Sequence, residues 1–372
     1  ESTDAFLFLL EARNYSVGNF EYINIRSVWP LILSGFFSVL HFEELINYMN
    51  IIRIVSITIS CVTIFVIFKI GKKFVNEKYA LFIAALFAFD PSLIQNSVLG
   101  IREPIFILLG LIAFYYGIHK NEKFLLLAFL FSALAFDTRI NGIAITIFLS
   151  IFIIMRFKSI KKIMKWMILG IGIFLVVSFP HIILPLEQGR VPFVLYISDA
   201  VNIIDEGNLS PSTYDESVED GQSILVTSII REIIHLVRIS LPLTWILAII
   251  GLFSWVKTRD IKFYSVIASL CIIFIIAIPM YFQSAEYRNL LLGSPLLFLL
   301  AGVGLEKNLE KLKFKKTILV TLIIILFISS LFVINLLDNK DKINIIEREN
   351  VAKIIIQEFS GRFMGDLFVN IS

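Results

Sequence analysis

The chain has 372 residues, of which 58% are hydrophobic and 17% are charged, and its mean hydropathy is +0.86. A soluble globular domain carries roughly 25% charged residues, so this composition excludes soluble, fibrous and disordered proteins. The apolar residues fall in blocks of about 15–20 that are separated by charged connectors, which is typical of transmembrane helices. A transmembrane β-barrel is excluded because its strands would alternate apolar and polar residues over about 10 positions.

Taken in chain order, the blocks predict an all-α polytopic membrane protein with about ten transmembrane helices, preceded by a first helix outside this sequence. Residues 1–50 are predicted to form a first external loop with amphipathic helices, and residues 186–238 a second external loop with an interfacial helix. Residues 337–372 are the predicted start of an external C-terminal domain. The predicted transmembrane helices, within 51–185 and 239–336, span residues 51–70, 79–98, 104–119, 124–138, 140–156, 166–185, 239–256, 263–282, 288–305 and 317–336.

The charged connectors predict the orientation of these helices. Connectors 71–78, 120–123, 156–165, 257–262 and 306–316, together with Lys69, contain 19 Lys and Arg against 5 acidic residues, a net charge of +14. The rest of the chain contains 14 Lys and Arg against 25 acidic residues, a net charge of −11. The positive-inside rule assigns the first set to the cytoplasm. We therefore expect an integral protein of the cell membrane whose functional groups face outward.

Ionisable residues are absent from the middle of every predicted span and concentrate near the external helix ends. They are Arg53, Asp90, Arg102, Glu103, Asp137, Arg139, His181, Glu286 and Arg288. An ion-coupled carrier would normally place charges near the membrane midplane, so this distribution disfavours transport. It favours a site that opens to the external leaflet and admits a substrate with a lipid tail.

Ahead of Lys340, every basic residue on the predicted external face is an arginine. Arg102, Arg139 and Arg288 each stand beside a carboxylate at a helix end, and a guanidinium binds phosphate oxygens in a bidentate manner. This pattern predicts phosphate binding by the three arginines. The alternative is that Lys simply marks the cytoplasmic side while these arginines form structural ion pairs.

Four segments resemble the C-type superfamily of multi-spanning glycosyltransferases, which use polyprenyl-phosphate-linked sugars and include the dolichyl-phosphate-mannose protein mannosyltransferases and the lipid A aminoarabinose transferases. The segments are TDAFLFLLEARNYSVGNF, YALFIAALFAFDPSLIQNSVLGIREPIFILLGLIAFYYG, LAFLFSALAFDTRINGIAI and EYRNLLLGSPLLFLLAGVGLEK. Where the family has an acidic pair early in the first loop, this chain reads Asp4-Ala5. It also reads Arg102-Glu103-Pro104 where some members have Thr before the acid. The Trp-Trp-Asp signature of oligosaccharyltransferases is absent, which disfavours transfer of a whole oligosaccharide to Asn.

The resemblance implies an inverting transfer of a sugar from a polyprenyl phosphate to a hydroxyl group of a protein, lipid or glycan, with no nucleic-acid partner. Such a reaction needs a base for the acceptor and cations for the leaving phosphate. Asp4 is the candidate base, and Glu103 would hold a sugar hydroxyl or, with Asp4, a divalent cation such as Mg²⁺ or Mn²⁺. Two structural alternatives stay open: Asp4 as a helix N-cap and Glu103 as a helix-dipole partner.

The remaining candidates are weaker. His181 is predicted to contact a metal or phosphate or to bond to the backbone, Asp137 to pair with Arg139, and Glu286 to pair with Arg288. Cys61 and Cys271 lie inside apolar spans and are predicted to be small core residues.

The alternative functions are a flippase or carrier of a polyprenyl-linked glycan and a structural assembly subunit. A flippase should carry polar residues through the membrane midplane. In a structural subunit, Asp4, Glu103 and Arg288 should lie scattered.

Overall fold

The structure is a computed structural model, and it describes residues 3–19, 28–40, 45–187, 229–230, 232–235, 240–256, 261–283, 287–309 and 316–335. The acidic part of the second predicted external loop and the predicted C-terminal domain therefore lie outside the described residues.

All regular elements within the described ranges are helices, which confirms the all-α class. They are α1 (Thr3–Ser16), α2 (Val28–Phe37), α3 (Leu45–Gly71), α4 (Glu77–Ala88), α5 (Pro91–Val98), α6 (Glu103–Gly117), α7 (Phe124–Thr138), α8 (Ile143–Arg156), α9 (Ile160–Glu187), α10 (Pro242–Val256), α11 (Ile261–Gln283), α12 (Ser294–Leu309) and α13 (Lys316–Asn335). Two 3₁₀ turns, Ile140–Gly142 and Tyr287–Gly293, lead into α8 and α12.

The chain is an integral membrane protein with several candidate spans. Four helical stretches in the described part are long and apolar enough to cross a membrane: Ile46–Gly71, Ile160–Phe179, Arg288–Leu309 and Lys316–Asn335. The bent pair α4 and α5 would make a fifth. The other apolar stretches counted in the described part have only 10–17 residues, including Phe263–Ala277 within the longer α11, and are shorter than the roughly 20 that a perpendicular span needs. Length alone therefore supports fewer spans than the predicted ten.

The predicted helix over residues 79–98 is interrupted in the structure. The chain breaks at Asp90-Pro91, where α4 and α5 meet at an angle of 54°. The Asp90 carboxylate caps α5, accepting hydrogen bonds from the backbone N–H groups of Ser92 at 3.0 Å and Leu93 at 3.2 Å. A proline favours the first turn of a new helix over a helix interior, which explains the break.

The connectors predicted to be cytoplasmic gather at one end of the bundle. Lys73 Nζ donates to the Tyr115 carbonyl at 3.0 Å, Arg156 Nη1 to the His119 carbonyl at 2.8 Å, Lys162 Nζ to Glu122 Oε1 at 3.0 Å and Lys307 Nζ to the Ser254 carbonyl at 2.8 Å. Helix α6 ends there at Gly117 and begins at Glu103, 15 residues earlier. At 1.5 Å per residue, Glu103 lies about 20 Å away, at the opposite end of the bundle.

Helix α12 lies at the centre of the bundle. In the apolar stretch Arg288–Leu309, which contains the preceding 3₁₀ turn and α12, 94% of a segment long enough to cross the membrane is buried by other parts of the protein. Its closest neighbour is α10, which it meets through Gly304 and Gly251. A Cβ atom on Gly251 would lie only 1.9 Å from the Leu300 carbonyl oxygen, so glycine is required for this approach. The central position of α12 also fixes the 3₁₀ turn that precedes it and carries Arg288.

Candidate functional site

Helix α1 carries Asp4 to one end of the bundle. Ala5, Leu9 and Ala12 are fully buried on one side of α1, which packs against α2 and α3. Asp4 lies in the first turn and its side chain is 44% exposed. Its Oδ2 atom accepts a hydrogen bond from Nη1 of Arg288 at 2.7 Å. This ion pair gives Asp4 a contact that a helix cap alone would not explain.

Arg288 lies between two carboxylates. Its Nη1 atom is also 3.8 Å from Oε1 of Glu103, the first residue of α6, and its side chain is 20% exposed. Asp4, Glu103 and Arg288 therefore meet at one point although they lie far apart in the sequence. The structure brings together the three residues that the sequence analysis singled out for separate roles.

A buried network lies behind Arg288. Glu103 Oε1 forms an ion pair with Nη1 of Arg139, and both side chains are less than 10% exposed. Nη2 of Arg139 donates to Oδ1 of Asn289 at 2.6 Å. Nδ2 of Asn141 reaches both oxygens of Asn289, the side-chain Oδ1 and the backbone carbonyl, at 3.3 Å each. Arg139 is therefore enclosed by protein groups.

The charges of the site alternate from the half-exposed surface to the buried interior: Asp4, Arg288, Glu103, Arg139. Two carboxylates thus face two guanidinium groups, and the set is formally neutral. Buried charges of this kind persist only when they are paired and hydrogen-bonded. The charged groups are therefore held in place by one another, with Arg288 at the accessible edge of the site and Arg139 in its interior.

The donor set is poorly suited to the divalent cation that the sequence analysis considered. Asp4 and Glu103 supply only two carboxylates, and each already contacts a guanidinium. Among the described residues, no three His, Cys, Asp or Glu side chains are grouped so that they could hold a metal ion. Mg²⁺ is often held by only one or two carboxylates, but here each carboxylate is already paired with a guanidinium. We therefore derive no step through a metal.

Arg102 contacts α1. Its guanidinium carbon lies 5.5 Å from the centroid of the Phe8 ring, a cation–π geometry. Burial raises the pKa of the Glu11 carboxyl above its usual value, and the charge of Arg102 partly offsets that rise. Through Phe8 and Glu11, Arg102 helps to hold the helix that carries Asp4. Its predicted contact with phosphate remains a prediction.

The structure assigns surroundings to some of the weaker candidates. Asp137 is buried in the last turn of α7 and interacts with Ser178 of α9. The side chain of His181 and all of Glu286 lie outside the described residues. Cys61 and Cys271 are exposed on the outside of α3 and α11, so their prediction as core residues is wrong.

Asn141 and Asn289 were missed by sequence reasoning. Each follows an arginine of the site closely, in the stretches RINGIA and EYRNLLL, and each interrupts an otherwise apolar run. A search for polar residues within apolar blocks, not only for charged ones, would have found them.

Comparison with known proteins supports this view of the chain. Residues 28–184 match the model of the dolichyl-phosphate-mannose-protein mannosyltransferase family. The match confirms the predicted resemblance to this family over that stretch of the chain. Glu103, Arg139 and Asn141 lie within the matched stretch, whereas Asp4, Arg288 and Asn289 lie outside it. No curated protein matches the sequence.

The fold is similar to that of the Archaeoglobus fulgidus oligosaccharyltransferase in its apo form. The superposition has a TM-score of 0.56 at 10% identity, and it covers 89% of this chain and 50% of that chain. This chain thus spans about half the length of that structure. At such low identity the similarity concerns the fold alone.

Proposed function

We propose that this chain is an inverting glycosyltransferase that moves a sugar from a polyprenyl phosphate of the dolichyl type to an acceptor hydroxyl. The observation that carries the proposal is the contact of Arg288 with both Asp4 and Glu103. A partly exposed guanidinium beside a half-exposed carboxylate offers a cation for a phosphate and a base for a hydroxyl. The family match over residues 28–184 supports the same donor class.

In the proposed reaction, the acceptor oxygen attacks the anomeric carbon from the face opposite the phosphate. Asp4 takes the proton of the acceptor hydroxyl as the new C–O bond forms. The bond between the anomeric carbon and the phosphate oxygen breaks, and its electron pair leaves with the lipid phosphate. Arg288 stabilises the charge that grows on that phosphate in the transition state. The anomeric configuration is inverted.

The ion pair of Asp4 with Arg288 has a consequence for the order of events. A lipid phosphate that binds Arg288 competes with the Asp4 carboxylate for the same N–H groups. Once displaced, the Asp4 carboxylate is available to take the proton of the acceptor hydroxyl. The donor is therefore expected to bind before the acceptor is deprotonated.

We also propose that the site faces outward at the cell membrane, with the basic connectors in the cytoplasm. The positive-inside rule supports this orientation, given a net charge of +14 on one set of connectors. The short apolar helices would complete the predicted set of about ten spans, as tilted or interrupted crossings. A lipid donor could then enter from the external leaflet.

The test is mass spectrometry of lipid-linked sugars and surface glycoconjugates from cells that lack the gene. We expect one glycan to disappear and a lipid-phosphate sugar to accumulate, with rescue by the wild type but not by Asp4→Asn. Unchanged glycoconjugates would contradict the proposal. So would rescue by Asp4→Asn together with a glycolipid trapped in the cytoplasmic leaflet, which is what a flippase predicts.

A further inference from the structure

Two buried polar atoms of the site have no hydrogen-bond partner among the residues that the structure describes. One is Oε2 of Glu103, an acceptor, and the other is Nδ2 of Asn289, a donor. Glu103 is 1% exposed and Asn289 is 5% exposed. A buried polar group without a partner costs free energy, so native proteins rarely keep one without a reason. Here a donor and an acceptor are left over in the same network.

The two atoms belong to residues that one guanidinium holds next to each other. Arg139 uses Nη1 for Oε1 of Glu103 and Nη2 for Oδ1 of Asn289. Glu103 and Asn289 therefore each contact Arg139 through one side-chain polar atom, and the second polar atom of each side chain is left without a partner in the described residues. The planar fork of the arginine fixes this relative position.

The orientation of the Asn289 amide is also determined by the network. Its oxygen accepts hydrogen bonds from Arg139 and from Asn141. Turning the amide over would place its NH₂ group against two other donors, which would lose both bonds. The free atom of Asn289 is therefore the N–H donor.

We propose that Glu103 Oε2 and Asn289 Nδ2 form a subsite for one hydroxyl group of the transferred sugar. The hydroxyl would donate its proton to the carboxylate oxygen and accept a hydrogen bond from the amide nitrogen. A hydroxyl group is both donor and acceptor, which matches the two free atoms. The inference rests on the proposed function, and it adds Asn289 as a residue that binds the sugar.

The place of the pair in the site fits this role. Nη1 of Arg288, the proposed phosphate contact, lies 3.8 Å from Oε1 of Glu103. Arg288 also immediately precedes Asn289 in the chain. In a sugar phosphate, the sugar ring is joined directly to the phosphate, so the ring must lie beside the phosphate contact. Arg139 and Asn141 then act as positioning residues that orient the subsite from behind.

The test measures binding to the full chain in lipid nanodiscs. The probes are bare dolichyl phosphate and dolichyl phosphates that carry mannose, glucose, galactose or N-acetylglucosamine. We expect the wild type to bind at least one sugar lipid about ten-fold or more tightly than the bare lipid, because hydrogen bonds to a charged group are strong. The ratio of the affinity for the sugar lipid to the affinity for the bare lipid measures the contribution of the sugar separately from that of the phosphate.

Asn289→Asp keeps an oxygen for Arg139 and Asn141, changes the free atom from donor to acceptor and adds one negative charge. We expect it to abolish the ten-fold ratio. Adding Glu103→Gln reverses the second free atom and restores the net charge. The hydroxyl can then donate its proton to the side chain at position 289 and accept a hydrogen bond from the side chain at position 103. The double variant should therefore recover part of the affinity ratio. Asn308→Asp, the same change at the other end of α12, is the control and should leave the ratio unchanged.

A wild-type measurement covers the case in which Asn289→Asp does not fold. Deoxy analogues of the best-bound sugar should all bind like the parent except one, which should lose about ten-fold. The inference is overturned if all deoxy analogues bind alike, if no sugar lipid binds more tightly than the bare lipid, or if folded Asn289→Asp keeps the wild-type ratio. Failure of the wild type to bind even bare dolichyl phosphate would instead contradict the proposed function itself.

Discussion

Arg288 and Asp4 are separated by 284 positions in the chain, yet Nη1 of one donates to Oδ2 of the other at 2.7 Å. The contact joins helix α1 to the 3₁₀ turn that leads into the central helix α12. It also places the only half-exposed carboxylate of the charged network beside its partly exposed cation. We base the proposed chemistry on this pair.

Asp4→Asn should abolish transfer while preserving donor binding. A general base contributes about 10²–10⁴-fold in rate, and Asn cannot take the proton. Donor affinity should be equal or somewhat higher, because Arg288 no longer pairs with a full negative charge. The measurement is the transfer rate and the donor affinity of purified protein in nanodiscs.

Glu11→Gln is the matched control for that variant, since it removes the same charge from the same helix. Glu11 lies near Arg102 and is not part of the reacting set. It should leave the transfer rate within a few-fold of the wild type. Near wild-type turnover by Asp4→Asn would show that the base lies elsewhere, and Glu103 would be tested next.

Arg139→Gln should destabilise the protein more than it weakens phosphate binding. It leaves the buried Glu103 carboxylate without its closest counter-charge, and breaking a buried ion pair costs about 3–5 kcal/mol. The double variant Glu103→Gln with Arg139→Gln removes both charges and should regain part of the thermal stability. Melting temperatures in detergent test this. If Arg139→Gln has normal stability but a large loss of affinity for the lipid phosphate, this prediction is contradicted and Arg139 binds the phosphate directly.

The sequence allowed much of this site to be predicted, because charges are rare in apolar blocks. Glu103 and Arg288 were recognisable because an ionisable residue near a membrane-embedded helix end stands out. Asp4 was recognisable from its place in the first loop of the family that the chain resembles. Their pairing was not predictable: nothing in the local sequence shows that Arg139 faces Glu103 and Asn289. Hydropathy alone does not show the break at Asp90-Pro91, because it averages over a bend, whereas the Asp-Pro pair itself is typical of a helix end.

Gly304→Ala should disturb the packing of α10 against α12. A Cβ atom there would lie 2.5 Å from the Gly251 nitrogen and 2.6 Å from the Leu247 carbonyl oxygen, so the backbones must separate. Overpacking of this kind costs about 1–3 kcal/mol or more. Gly172→Ala, where nothing lies within 4 Å of the new atom, is the control and should not lower the melting temperature. Equal melting temperatures for both variants would argue against the close helix contact.

The orientation can be tested with an impermeant thiol reagent on intact cells, in a background where Cys61 and Cys271 are replaced by Ala. Val17→Cys, exposed at the end of α1, should react from outside. Lys158→Cys, exposed in the connector between α8 and α9, should react only after permeabilisation. The reverse pattern would place Asp4 and Arg288 on the cytoplasmic face and contradict the proposed entry of the donor.

The affinity of dolichyl phosphate for Arg288 variants tests the central claim most directly. Lys keeps the charge but loses the fork, so Arg288→Lys should bind roughly ten- to a hundred-fold more weakly in nanodiscs, and Arg288→Ala more weakly still. Arg13→Ala removes an exposed arginine from α1 at the same end and should bind like the wild type. Wild-type affinity in a well-folded Arg288→Ala protein would contradict the account, because the phosphate would then be held elsewhere.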